Sequence, residues 1–171
     1  MKRFTFMLFC LFLSLGIVAQ SYHSLNSDEI KECKTPQAIA WNFVMSIVNQ
    51  DYYRMEPLCD RLFLKELHDW MKEEGVSSYN QLFTEEKVHD IVGIRPVMRE
   101  GWRLVCADEY YYDLSGYAID DDYKSLQACS VSFNCMKDNQ IYSWQSNKEH
   151  DTTARVILVY KDEKWQVIGF K

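Results

Sequence analysis

The chain has 171 residues, with 19 Lys and Arg against 25 Asp and Glu for a formal charge of −6, and has room for one domain. Hydrophobic residues at 47% and charged residues at 26% are globular composition, and 6 Gly with 3 Pro exclude collagenous and low-complexity chains. The acidic balance, with no cluster of Lys or Arg, argues against a nucleic-acid partner, because phosphate-backbone binding draws on clustered cations that release counterions.

Lys2 and Arg3 precede Phe4 to Ala19, an uncharged run rich in Phe, Leu, Ile and Val. This pattern predicts a secretory signal peptide over residues 1–19, cleaved near Ala19. The run is shorter than the roughly 20 residues that cross a bilayer, so no stable membrane span is expected after cleavage. Cys10 lacks the small residues that precede a lipid-modified cysteine. Removing residues 1–19 takes away two cations and no anion, which moves the charge from −6 to −8. The expectation is a secreted or periplasmic chain with a tail over residues 20–34 and a single domain over residues 35–171. Cys33, Cys59, Cys106, Cys129 and Cys135 remain, an odd number. Cys33 with Cys59, or Cys106 with Cys129 or Cys135, are conceivable disulfides, although spacing fixes no connectivity. The simpler reading makes them small buried hydrophobes.

Thr35 before Pro36 predicts a helix start, the hydroxyl capping an orphan amide while proline needs no partner in the first turn. Ile39, Phe43 and Ile47 then repeat every four residues beside Ala40, Val44 and Val48, one wide apolar face ending near Asn49. Asp51 can cap a second short helix running through Leu58 to Leu62. Phe63, Leu67, Trp70 and Met71 mark a further helical face that stops at Gly75, with one more turn over residues 78–83. The period then changes. Alternation over Val88 to Ile94 predicts a strand that meets Pro96, an edge or bulge residue. Further strands are predicted over Trp102 to Ala107, with Tyr110 to Tyr112 in the strand or at its exit, and over Leu126 to Met136. In the latter, Cys129, Val131, Phe133 and Cys135 share one face. After a turn and Ile141 to Trp144, the strands Ala154 to Tyr160 and Trp165 to Phe170 flank a polar loop as a closing hairpin. Those last strands are apolar on both sides, which predicts cover on both sides. Helices would supply one cover, and the other would come from a partner subunit, a homodimer through the sheet, or from a sheet curved enough to cover itself.

Helices followed by antiparallel strands give an α+β class, with N-terminal helices packed on one sheet. The opening Thr35-Pro36-Gln37-Ala38-Ile39-Ala40 with Phe43, then Asn49-Gln50-Asp51-Tyr52, and the hairpin Arg155 to Phe170 together resemble the nuclear transport factor 2-like (cystatin-like) superfamily, as found in small exported bacterial domains. The resemblance covers both ends of the chain beyond the leader and rests on hydrophobic pattern. It implies a strongly curved, cone-like sheet enclosing a pocket, used by some relatives for catalysis and by many for binding or assembly.

Enzymes of that superfamily move protons beside a carbonyl with an Asp or His base and Tyr or Asp donors. The catalytic candidates here are Asp108, His89, Tyr110 and Tyr112, with Tyr117 beside them. None lies in a motif of a catalytic family, and Tyr110 to Tyr112 also read as packing aromatics. His68 falls on a polar helical position. Asp120-Asp121-Asp122 lacks the glycine and distal glutamate of a calcium loop, and no cysteine–histidine spacing suits zinc, so no metal or cofactor is expected. There is no nucleophile elbow and no phosphate loop. Trp102 and Trp144, near predicted turns, are candidates for stacking on a sugar or lipid. The leading expectation is a non-catalytic domain that binds an unknown small molecule or protein. The rivals are a small-molecule isomerase or dehydratase-like enzyme, and an exported inhibitor or immunity-type protein that meets a basic partner.

Overall fold

A computed structural model describes residues 25–84, 103–138, 140–141 and 154–170. The elements, in chain order, are α1 (Ser27–Glu32), α2 (Pro36–Val48), α3 (Tyr52–Met55), a single 3-10 turn (Glu56–Leu58), α4 (Arg61–Glu73), α5 (Tyr79–Leu82), β1 (Arg103–Asp113), α6 (Asp121–Lys124), β2 (Gln127–Lys137), β3 (Gln140–Ile141), β4 (Ala154–Lys161) and β5 (Lys164–Phe170). All strand pairs are antiparallel, in the order β1-β2-β4-β5, with the short β3 also on β2. The fold is α+β. Its described strands form an open sheet without strong curl. The predicted signal peptide over residues 1–19 and the strand predicted over residues 88–98 lie outside the described residues.

Local chemistry sets the helix ends. The Thr35 hydroxyl accepts the Ala38 amide at 3.2 Å, with Pro36 in the first turn, as the sequence predicts. Gly75 takes a left-handed conformation (φ 66°), so the Val76 amide reaches the Met71 carbonyl at 2.9 Å and the Gly75 amide the Lys72 carbonyl at 3.2 Å. That pair of bonds ends α4. Two features depart from expectation. Residues 27–32 of the predicted tail form α1, started by reciprocal bonds between Asn26 and Glu29. The second helix also breaks at Cys59 and restarts, because Asp60 caps α4 by accepting the Leu62 amide at 2.7 Å.

The main core lies between α2 and the sheet. Ile39, Phe43, Val44 and Ile47 of α2 pack with Cys129, Val131 and Phe133 of β2, Val156 and Leu158 of β4 and Val167 of β5, all buried. Phe170 sits at 5.6 Å from Phe43, 5.9 Å from Phe63 and 6.2 Å from Phe83 between ring centroids, which seals this layer with aromatic edges. Cys59, Cys106 and Cys129 are buried free thiols in this layer and Cys33 is half-buried and free. The pairings Cys33–Cys59 and Cys106–Cys129 are therefore not formed. Burial pushes the Cys106 thiol up to about 11 and the Cys129 thiol up to about 12, with Glu109 adding to both.

The second face of the sheet is also covered, in part by the chain itself. Residues 114–126 fold over it, and Leu114 and Tyr123 bury against Ala128 and Val159 with Leu62, Ile119 and Ile168 alongside. The closing hairpin turns through Asp162 (φ 52°) and Glu163 (φ 61°), both left-handed, the twist that a two-residue connection needs.

Candidate functional site

One extra residue in β1 decides which side chains can meet. Leu104 pairs with Cys135 and Cys106 with Phe133, but Asp108 pairs with Ser132, so Ala107 is a bulge. Unbroken alternation would place Asp108, Tyr110 and Tyr112 on the side of Cys106, toward α2. After the bulge that side belongs to Glu109, opposite Val131, and Tyr111, opposite Cys129. Asp108, Tyr110 and Tyr112 turn to the other face, opposite Ser132, Ser130 and Ala128.

Three of the predicted catalytic residues thus share one face, away from the helical layer. Asp108 is exposed and its Oδ1 accepts the Glu109 amide at 2.9 Å. Tyr110 stacks on Tyr112 (5.8 Å, 22°), and Tyr112 packs on Tyr117 (5.7 Å, 44°). Tyr110 is 64% and Tyr117 57% exposed, while Tyr112 is half-buried. Arg155, opposite Ser132, donates from Nε to the Ser132 hydroxyl at 3.3 Å, and its charge opposes the rise that burial gives the Tyr112 hydroxyl. His89, Trp102 and Trp144 lie outside the described residues.

On the side facing α2, Glu109 gathers donors that the sequence reading does not find. Gln37, in the first turn of α2, donates Nε2–H to one carboxylate oxygen, and the Tyr111 hydroxyl donates to the other. The Cys129 thiol lies 3.9 Å from the same oxygen as Tyr111. Burial, then the adjoining Glu109 carboxylate, pushes the Tyr111 hydroxyl well above the ordinary tyrosine range. A carboxylate beside a tyrosine donor is the pair that proton transfer next to a carbonyl requires, yet both oxygens already have partners within the chain. The only sequence signal for it is the bulge, and Ala107 carries no mark of one.

A second carboxylate cluster joins three elements. Asp60, 2% exposed, accepts the Leu62 amide and the Tyr123 hydroxyl, with Lys161 Nζ at 3.4 Å. Lys161 Nζ also lies 3.0 Å from the Tyr123 oxygen and 4.3 Å above that ring. Burial alone would raise the Asp60 carboxyl, but the Tyr123 hydroxyl, the Leu62 amide and the Lys161 charge outweigh it and hold the group below the usual range. The Asp60 amide further donates to the Val167 carbonyl at 2.8 Å. Each polar atom here is spent on tying α4 and α6 to the sheet, which is a structural use.

The remaining polar candidates are separate from these. His68 is exposed and lies 3.4 Å from the Tyr79 hydroxyl, while Asp121 pairs with Lys124 at 2.7 Å in α6. Among the described residues no three His, Cys, Asp or Glu side chains converge as metal ligands would, and no helix is long and apolar enough to cross a membrane. Comparison of the chain with family models, curated proteins and solved structures finds no match in any of the three.

Proposed function

We propose that this chain is an exported, non-catalytic interaction domain that engages a protein partner through Tyr110, Tyr112 and Tyr117. The observation that carries this reading is the ladder itself: Tyr110 and Tyr112 of β1 pack on each other and Tyr112 on Tyr117 just beyond the strand, and two of the three are more than half exposed. Tyrosine presents a large, stiff apolar surface with a polar tip, so it contributes strongly at interfaces and loses little side-chain entropy on docking. Arg155 and Ser130 beside the ladder supply donors for a polar rim. The packed aromatic layer between α2 and the sheet supports binding rather than chemistry, since side chains fill the region where a cone-shaped pocket would lie. Export rests on the leader pattern of residues 1–19. A second copy of the chain is the first partner to test.

The test uses Tyr110→Ser with Tyr117→Ser in the full chain. Sedimentation equilibrium at tens of micromolar reads self-association, and capture by the immobilised protein from the exported fraction reads other partners. Loss of either association in the variant, at unchanged thermal unfolding, supports the reading. Association that survives both substitutions sinks it.

One observation favours an enzyme as the second reading. Glu109 with Tyr111 and Gln37 has the composition of a base with two donors at the rim of the helical layer. Glu109→Gln would then abolish turnover of a carbonyl substrate found by screening, with little change in stability.

A further inference from the structure

A groove of about 530 Å3 opens between α1, α2 and the α3 segment, and shares no residue with the tyrosine ladder, the Glu109 cluster or the Asp60 cluster. Its size falls within the range of small-molecule sites. Lys31, in the last turn of α1, and Arg54, in the last turn of α3, are the only charged residues lining it among the described residues. The chain as a whole is at −6, whereas both charges in this lining are positive. Among the described residues no carboxylate pairs with Lys31. Arg54 contacts Asp51 through Nε at 3.1 Å, an exposed pair of small worth that leaves the outer guanidinium nitrogens for a ligand.

The walls add an apolar component. Trp41 is half-buried in the groove, and Tyr53, 89% exposed, stands at its rim. The groove is held open by α2: Asn42 Nδ2 donates to the Ile30 carbonyl of α1 at 2.9 Å and to the Ala38 carbonyl at 2.8 Å. A concavity bordered by two cations and two aromatic rings suits one kind of occupant.

We propose that this groove binds a small amphipathic carboxylate, its charged end between Lys31 and Arg54 and its apolar body against Trp41 and Tyr53. A cationic or neutral molecule with the same body lacks the pairing that those two side chains offer.

Cys33 lines the groove, half-buried and free, and reports occupancy. The probe is 4-phenylbutyrate on the full chain, and the readout is the rate at which neutral iodoacetamide alkylates Cys33, followed by peptide mass spectrometry. At a concentration several times its dissociation constant the carboxylate should slow alkylation about fivefold, by simple occupancy. The amine 4-phenylbutylamine should leave the rate unchanged. Lys31→Glu with Arg54→Glu, both exposed positions, should abolish the carboxylate's protection at unchanged thermal unfolding, and Lys31→Gln with Arg54→Gln serves if the charge reversal destabilises the chain. The proposal is overturned if millimolar carboxylate gives no protection, if the amine protects equally, or if the double variant is still protected.

Discussion

Asp60 and Glu109 are two carboxylates around which described polar side chains gather, and they differ in burial and in charged partner, which decides their roles. Each takes a tyrosine hydroxyl, from Tyr123 and Tyr111 respectively, and each takes a second nitrogen donor. Asp60 is 2% exposed and has a cation within 3.4 Å, whereas Glu109 is half-buried and meets an amide and a thiol instead. A buried charge without compensation is costly, and the Tyr123 hydroxyl, the Leu62 amide and the Lys161 charge together keep Asp60 ionised in the interior. Glu109 keeps access to water and needs no cation. The first cluster is therefore a joint of the fold, and the second is a group that a ligand or solvent can reach.

Removing the joint should have the largest effect. Asp60→Ala deletes the cap of α4, leaves Lys161 without its carboxylate and strips the Tyr123 hydroxyl of its acceptor. Together these lower the unfolding free energy by about 3 kcal/mol in urea titration. A loss under 1 kcal/mol would erase the distinction between the two clusters.

The same joint sets a pH dependence. The folded Asp60 carboxyl is held below its ordinary value, so the unfolded chain binds its proton more readily. The contribution is complete above the unfolded value of about 3.9 and is lost as pH falls through the folded one. Between pH 6 and pH 3 the native chain should lose more stability than Asp60→Asn. Equal acid slopes in the two proteins would remove Asp60 as the source.

A narrower cut is Tyr123→Phe, which takes one hydrogen bond from Asp60 and leaves Lys161 in place. Hydrogen bonds to charged groups contribute roughly 1.5–3 kcal/mol, and burial puts this one within that range. Chemical denaturation of Tyr123→Phe beside Tyr111→Phe ranks the two hydroxyls directly.

The sequence makes the helices and the closing hairpin legible because their signals are local. Thr35-Pro36, the four-residue repeat of Ile39, Phe43 and Ile47, and Gly75 each act within one or two turns. The hairpin is readable for the same reason, from two apolar runs around Asp162-Glu163. The two carboxylate clusters are not legible. Asp60, Tyr123 and Lys161 come together only through tertiary packing across 63 and 101 positions of sequence separation. Glu109 fails for a subtler reason: a single bulge at Ala107 inverts the alternation of β1, so Glu109 and Tyr111 face the helices, while Asp108, Tyr110 and Tyr112, candidates by residue type, face away. The inverted set is not wasted, since it forms the exposed ladder.

The smallest effects should fall on Glu109. Glu109→Gln keeps one acceptor oxygen for Tyr111 or Gln37 and lets the other hydrogen bond go, and its half-exposed setting allows water to replace what is lost. Both Glu109→Gln and Tyr111→Phe should cost under about 1 kcal/mol, since exposed charge-assisted bonds gain little over water. The neutral variant should also ease ionisation of Cys129, because the Glu109 charge is the second contributor, after burial, to the rise of that thiol to about 12. Alkylation of Cys129 would still be slow, as burial is the larger cause and remains. If Glu109→Gln instead unfolds the chain as readily as Asp60→Ala, the carboxylate is a second joint rather than an accessible group, and the enzyme reading loses its base.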